Sequence, residues 1–253
     1  MFAVERQKKI LETLASEGAV WVSRLASQLG VTEETVRSDL EKLEMQESLV
    51  RTHGGAIPVV ESNREMSLEK RKYLNTEAKE RLAHEAASFV VPGDTVFLDA
   101  STTTFYMARS LKHTHDITVV TNSLRVINEL AGISGLRVIG IGGYAGNNQS
   151  FVGSLAARYI EENFFANKVF FSSRGVTKSG GVLDSNEAEC GIKKCMIKNS
   201  DEKYYLCDRS KIGRVGFAKL ADFSELNYFI TEKELDSEIR DALADCKVEI
   251  REV

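Results

Sequence analysis

The feature that most constrains this chain is a regular exchange, from residue 76 to the end, of short apolar runs with helix-length segments. A helix is expected over 76–90, with Ala78, Leu82, Ala86 and Phe89 as its apolar stripe, and a Pro-Gly-Asp turn then leads to a strand over 96–99. Further helices are expected over 102–111, 124–131, 155–163, 186–199 and 234–245. Strands fall between and after them, over 117–121, 136–141, 168–172, 204–207, 228–231 and 248–250. Strands that alternate with helices specify an α/β domain with a mostly parallel sheet. In such sheets ligands sit at the carboxyl ends of the strands.

The residues at those ends are polar and glycine-rich. The expected strands end successively in "DASTTT", "TNS", "IGGY", "SSRGV" and "CDRSKIG". Backbone amides at Ser101, Thr102, Thr103 and Thr104, with hydroxyls and a helix N-terminus behind them, suit a phosphate. Asp99 would repel an anion and is better suited to accepting from a sugar hydroxyl or bracing the loop. Gly142 and Gly143 permit close approach of a ligand to the backbone, and Arg174 and Lys211 are the cations placed to balance a phosphate. Taken singly, a Ser/Thr run before a helix is ordinarily a cap and a lone surface cation is solvated. The functional reading rests on several such loops at one end of the sheet.

Upstream of this domain, residues 5–17 carry Ile10, Leu11 and Leu14 on one helical face, a first amphipathic helix. Ser23 is positioned to cap a short helix that Gly30 ends, and Thr32 to cap the next. That third helix turns Val36, Leu40 and Leu43 inward and Glu33, Glu34, Arg37, Ser38 and Glu41 outward. Two helices joined through a glycine turn form a helix-turn-helix. The β-like pieces 49–52 and 56–59, around Gly54-Gly55, add a wing hairpin. Residues 1–57 are thus expected to be a small, mainly helical winged helix-turn-helix domain, 58–75 a polar linker, and 76–253 the α/β domain.

At 253 residues the chain has room for both. Its net charge of −4 does not exclude nucleic acid, because a DNA reader needs a local basic patch rather than a basic whole. Residues 1–18 are charged throughout and contain no apolar core of a signal peptide. With no apolar run of membrane-spanning length, the expectation is a soluble, cytoplasmic protein. Cys190, Cys195, Cys207 and Cys246 lack CxxC spacing and are expected as buried thiols. His113 and His115 flank a loop threonine, and neither a metal nor a cofactor is expected.

The N-terminal pattern of Arg6, Ile10 and Leu14, followed by "TEETVRSDLEKLE" and "LVRTHGGA", resembles the DNA-binding domain of the DeoR family of bacterial transcription regulators. The resemblance implies a recognition helix over 33–45 that enters the major groove of double-stranded operator DNA. Arg37 is the candidate for a base edge or phosphate, Thr32, Thr35 and Ser38 for phosphates near the helix start, and Arg51 and His53 for the backbone beside the wing. The segment is more acidic than basic by count, which implies weak non-specific binding and reliance on a homo-oligomer.

"FLDASTTT", "VVTNS", "IGG", "GGVLDSNEAECGIKKCMI" and "YLCDRSKIG" are similar to the sensor half of that family, whose fold is ribose-5-phosphate-isomerase-like and whose members typically sense phosphorylated sugars. By that resemblance Asp99, Ser101 to Thr104, Asn122, Gly142, Gly143, Lys193 and Lys211 are effector-site candidates, with Arg174 a further cation. Glu189 matches a recurring glutamate, structural or near the ligand. The chain departs from the family at "SSRGV", where Arg174 replaces an acidic residue.

That departure bears on the competing reading, a sugar-phosphate isomerase with an accessory domain. Such an enzyme needs a carboxylate base beside the sugar, and residues 172–175 supply none, while Glu187 and Glu189 follow only on a later helix. No catalytic residue is assigned. A third alternative is an adaptor whose second domain only dimerises, which leaves the polar strand ends without a purpose. The expectation is a repressor of sugar or carbohydrate metabolism genes, controlled by a phosphorylated sugar and acting as a dimer or tetramer.

Overall fold

The structure, a computed structural model, describes residues 3–17, 19–45, 48–52, 54–58 and 68–253. The chain divides into two units, Met1–Met66 and Ser67–Val253.

In the first unit, α1 (Ala3–Glu17), α2 (Val22–Leu29) and α3 (Glu33–Met45) bury Ile10, Leu14, Leu25, Val36, Leu40 and Leu43 in one cluster. Strands β1 (Val20–Trp21), β2 (Leu49–Thr52) and β3 (Gly55–Pro58) form an antiparallel sheet in the order β1-β3-β2, so the wing has three strands and not two. Gly30 closes α2 in the left-handed region at φ 65°, where its missing Cβ removes the steric cost. The capping role expected of Ser23 is corrected. Helix α2 begins at Val22, whose amide is held by Gly54 O at 2.8 Å, so the wing supplies the acceptor that an N-cap side chain would have given. Thr32 does cap α3, its Oγ1 accepting from Thr35 N at 3.2 Å. Asp39, on the inward side of α3, is buried and accepts from Arg6 Nη2 at 3.1 Å and Gln7 Nε2 at 3.2 Å, which locks α1 to α3.

The second unit opens with α4 (Leu68–Tyr73) and α5 (Thr76–Ser88), followed by β4 (Thr95–Leu98), α6 (Thr102–Ser110), β5 (Ile117–Thr121) and α7 (Leu124–Leu130). Next come β6 (Leu136–Gly140), a hairpin of β7 (Tyr144–Gly146) and β8 (Ser150–Val152), α8 (Ser154–Asn163) and β9 (Ala166–Phe171). The chain continues through β10 (Gly175–Thr177), β11 (Gly181–Asp184), α9 (Glu187–Lys198), β12 (Ser200–Cys207) and β13 (Ala218–Ala221). It ends with β14 (Tyr228–Thr231), α10 (Ser237–Asp245) and β15 (Glu249–Glu252).

Seven of these strands form one fully parallel sheet, in the order β15-β14-β12-β9-β4-β5-β6. Both faces are covered, as parallel sheets require. Alternate residues of the central strands therefore feed two cores: Phe171, Tyr205 and Phe229 on one face, and Phe170, Tyr204 and Ile230 on the other. Tyr204 stacks between Phe170 and Tyr228, with centroids 4.5 and 4.4 Å away. The chain leaves β4 outward through β5 and β6, then returns to β9 on the other side of β4. The crevice between the carboxyl ends of β4 and β9 is thus a topological switch point, where open α/β sheets bind ligands.

The region expected as a linker, 58–75, lies partly outside the described residues, at 59–67. Its remainder includes α4, which is held on the second unit: Tyr106 Oη donates to Lys72 O at 3.1 Å, and Lys79 Nζ donates to Arg71 O at 2.6 Å and Leu74 O at 2.5 Å. Six residues are too few to show a helical period, which is why the sequence reads as irregular there. Among the described residues, no helix is long and apolar enough to cross a membrane.

Candidate functional site

The switch-point crevice is organised by Asp99, which follows β4 and is fully buried. Its Oδ1 accepts from Ser101 N at 3.1 Å and Thr104 Oγ1 at 2.7 Å, and its Oδ2 from Ser172 N at 3.2 Å, across the crevice on the β9 end. Lys193, inward on α9, lies 3.1 Å from Asp99 Oδ2 and donates to Asp184 Oδ2 and Ser172 O, each at 2.7 Å. Burial opposes both charges, and each is kept by the other. The Lys193 ammonium, with the Thr104, Ser101 and Ser172 donors, holds Asp99 below the usual carboxylate range, while Asp184 and Asp99 raise Lys193. Of the two roles weighed for Asp99, the structure gives it the brace.

The hydroxyl run divides its labour. Ser101 caps α6, its Oγ accepting from Thr104 N at 3.2 Å, and Thr104 braces Asp99. Thr102 and Thr103 are buried, and as first-turn residues their amides have no intrahelical acceptor. Lys211, on the loop after β12, approaches the same point: its Nζ donates to Ser172 Oγ and lies 3.5 Å from Thr103 Oγ1 and from Asp208 Oδ2. A helix N-terminus, a threonine hydroxyl and an ammonium thus converge at one point, the composition of an anion site.

The other candidates lie around this centre. Asn122, after β5, is buried, and its Nδ2 donates to Phe151 O on β8 at 2.9 Å. Glu189, on the first turn of α9, is buried, is pushed up by that burial, and accepts from Ser150 Oγ. Gly142 faces open space, whereas a Cβ on Gly143 would meet Val152 O at 2.8 Å and the Ala156 Cβ at 3.0 Å, so the second glycine is required by packing. Arg174 is half-buried in the turn after β9.

Several participants gave no signal of their own in the sequence. Ser172 bridges the two halves, since its amide serves Asp99, its carbonyl Lys193 and its hydroxyl Lys211. Asp184 belongs to the small antiparallel sheet β10-β11-β13, which the alternation of helix and strand passes over. Asp208 Oδ1 accepts from Asn75 Nδ2 at 3.1 Å and Ser210 N at 3.1 Å. Arg71 Nη2 donates to Asn148 Oδ1 at 2.6 Å, which joins α4 to the β7-β8 hairpin. Lys79 is buried, and burial, with Lys211 next, lowers it to about 8. It sits at i−3 to Leu82 and i−4 to Ala83, so the buried stripe of α5 could have revealed it.

In the first unit, Thr32, Arg37, Ser38 and Arg51 are exposed and Thr35 half-buried, while His53 lies outside the described residues. Arg37 Nη2 donates to Glu33 Oε2 at 2.8 Å, and its Nη1 is 3.6 Å from Glu34. Arg51 Nε donates to Glu44 Oε2 at 2.7 Å, tying the wing to α3. The two arginines line one groove between α3 and the wing. Both are held by carboxylates of their own domain, the local form of the acidic excess. All four cysteines are free: Cys190 and Cys207 are buried, while Cys195 and Cys246 are only half-buried, against the expectation for them.

The DeoR-like helix-turn-helix domain matches residues 6–61 and the DeoR C-terminal sensor domain residues 74–233. An uncharacterized HTH-type transcriptional regulator of Bacillus subtilis, YulB, is 39% identical over 100% of this chain and 98% of the relative. The L-fucose operon activator of Haemophilus influenzae is 33% identical over 93% of this chain and 94% of its own. A putative aga operon transcriptional repressor of Escherichia coli O157:H7 is 30% identical over 97% and 92%. Among solved structures, ribose 5-phosphate isomerase A of Methanocaldococcus jannaschii aligns with 55% of each chain at 15% identity and a TM-score of 0.40, too remote to carry an argument.

Proposed function

The chain belongs to the DeoR family of helix-turn-helix transcription regulators, and from that premise we propose that it is a repressor of carbohydrate genes, with operator affinity set by a phosphorylated sugar in the switch-point crevice. It is a DNA-binding regulator and not an enzyme, in line with relatives that align over nearly its whole length. Its sensor domain takes a small-molecule effector.

The observation that carries the finer reading is the convergence of Lys211 Nζ, Thr103 Oγ1 and the first turn of α6 at the switch point. A phosphate there accepts from the Thr102 and Thr103 amides and draws Lys211 away from Ser172. That movement reaches the start of α5, two residues beyond α4, because its N-cap residue Asn75 donates both to Asp208 Oδ1 at 3.1 Å and to Ser210 Oγ at 2.9 Å on the Lys211 loop. Helix α4 in turn precedes α5 in the stretch through which the chain joins its two units. Two copies read a two-fold operator, so a change in the spacing of recognition helices lowers affinity.

The test is a thermal-shift screen of the full chain across sugar phosphates, followed by operator titration with the strongest. One or more should raise Tm by several degrees and weaken operator binding, and Lys211→Met should lose both responses while still binding operator. If no sugar phosphate stabilised the protein, the sensor reading would fall and operator binding would stand. A ligand that tightened operator binding would reverse the sense of regulation.

A further inference from the structure

Large exposed apolar side chains gather along one stretch of the second unit. Tyr144 on β7, Leu155 and Tyr159 on α8, and Phe165 just beyond that helix are 68%, 64%, 45% and 61% exposed. A Cβ on Gly153 would meet Tyr144 Cδ2 at 2.8 Å, so the Tyr144 ring lies against the start of α8. Leu155 and Tyr159 stand one turn apart on the same helical face. Tyr159 packs edge-on against Phe164, the residue before Phe165, with ring centroids 5.2 Å apart. The inward face of α8 is supplied by Ala156 and Ile160, so the fold of the chain itself makes no use of the outward stripe. Charges punctuate that stripe in a fixed order, with Arg158 near its middle and Glu161 and Glu162 toward its carboxyl end, all exposed. Arg158 Nε and Glu162 Oε1 are 4.0 Å apart and mostly in solvent, a pairing that stabilises one copy very little.

We propose that this face joins two copies of the chain, with α8 packed antiparallel on α8 about a two-fold axis near Tyr159. The order of the charges selects both the partner and the direction. A two-fold contact sets the same patch on itself. Were α8 parallel to its copy, Arg158 would face Arg158 and Glu162 would face Glu162, and like charges so placed repel. Antiparallel, the Arg158 of each copy meets the acidic end of the other, and the end carrying Tyr144 and Leu155 meets the end carrying Phe165. The size agrees with a dimer. Four side chains exposed to this degree offer on the order of 400 Å² of apolar surface per copy, close to the apolar share of a standard interface of roughly 800 Å² per partner. A two-fold operator is read by a two-fold assembly, and this face supplies one. The inference does not depend on what fills the crevice, so failure of the effector reading would leave it standing.

The experiment is sedimentation velocity of the full chain over a wide range of protein concentration. The unaltered protein should associate, and Leu155→Asp, a change at an exposed position, should halve the mass of the assembly without lowering Tm. Arg158→Glu and Glu162→Arg should each weaken association by about tenfold or more. An equimolar mixture of those two variants should associate as tightly as the unaltered protein, because each charge then meets its opposite across the axis. A role of α8 confined to its own chain would not produce that rescue. An unaltered chain that stayed monomeric at every concentration, or a Leu155→Asp chain that kept its full mass, would overturn the proposal. A mixture that associated no better than either variant alone would overturn the antiparallel pairing, and that arm decides even if Leu155→Asp failed to fold.

Discussion

Lys193 and Asp99 are paired beneath the switch-point crevice, the ammonium 3.1 Å from the carboxylate and both side chains under a tenth exposed. The pair sits within a set of bonds that satisfies every donor of the lysine, since Asp184 and Ser172 take the remaining two. A lysine so employed holds the floor of the crevice together. Removal of one member of such a buried pair strands the other and costs about 3–5 kcal/mol. Lys193→Met strands two buried carboxylates, Asp99 and Asp184, and should lower sensor-domain stability by that order in denaturant unfolding, whereas Lys211→Met strands only Asp208, which keeps its Asn75 and Ser210 donors, and should cost less. Equal losses would contradict this division between the two lysines.

The same pair sets an acid limit. Asp99 and Asp208 both titrate below their ordinary range in the folded chain, held there against burial by Lys193 and Lys211 respectively and by hydrogen-bond donors. A carboxylate with a depressed folded pKa stabilises above its unfolded value and loses that contribution as pH falls through the folded one. Stability of the sensor domain should accordingly decline below about pH 4. Asp208→Asn should flatten the decline, and an unchanged profile would remove Asp208 from its cause.

Arg37 is expected to leave its carboxylate partners for DNA. Its guanidinium is half exposed and lies between Glu33 and Glu34, so a phosphate or guanine must displace both. Arg37→Ala should abolish a specific operator complex at moderate salt in fluorescence anisotropy. Glu34→Gln should instead raise affinity several-fold, through removal of a charge that repels phosphate and competes for the arginine. A loss of affinity in Glu34→Gln would show that the glutamate positions Arg37 rather than restrains it.

The large elements were legible because each declares itself over its own length. Runs such as residues 96–98 and 229–231 are buried on both faces, and their spacing by helices left only a parallel sheet. The small sheet was not legible, since β10 has three residues and β11 four, and β11 also pairs with β13, some thirty-five positions further on. The strand-end loops were legible as one polar cluster, because a parallel sheet brings the carboxyl ends of its strands to one edge. They could not distinguish Lys193 from a solvated helix lysine, or Asp39 from the outward acids beside it on α3, because that depends on which carboxylate or guanidinium arrives from a distant element. Thr103, read as a ligand hydroxyl, is fully buried against Lys211, a contact 108 residues apart that no local pattern encodes.

Gly142 and Gly143 look alike in sequence and differ in the fold. Gly143→Ala would drive a methyl group to 2.8 Å from Val152 O, so the β7-β8 hairpin must shift and stability should fall by about 1–3 kcal/mol. Gly142→Ala meets nothing within 4 Å and should fold normally. If the loop after β6 borders the ligand, Gly142→Ala will alter ligand-induced stabilisation without altering Tm of the free protein. Unchanged ligand response would place that loop outside the site.

Lys79 offers a way to detect the anion without a mutation. Burial, with the nearby Lys211, brings its folded pKa to about 8, against an unfolded value of roughly 10.4. Between those values the unfolded chain holds more protons, so stability of the free protein rises with pH across that window. A phosphate dianion at the crevice favours the charged lysine and returns its pKa toward the unfolded value, so binding near pH 8.5 must take up protons. The ligand cannot be their destination, because a phosphate monoester, with a second pKa of about 6, is already fully ionised. Calorimetric titration of the best sugar phosphate in two buffers of different ionisation enthalpy should give heats that differ by a fraction of a proton at pH 8.5, and by little at pH 7. Lys79→Met should bring the two buffers together at pH 8.5 while binding persists. Heats independent of buffer in the unaltered protein would mean that the bound anion does not come near Lys79, and with it would go the placement of the phosphate beside Lys211.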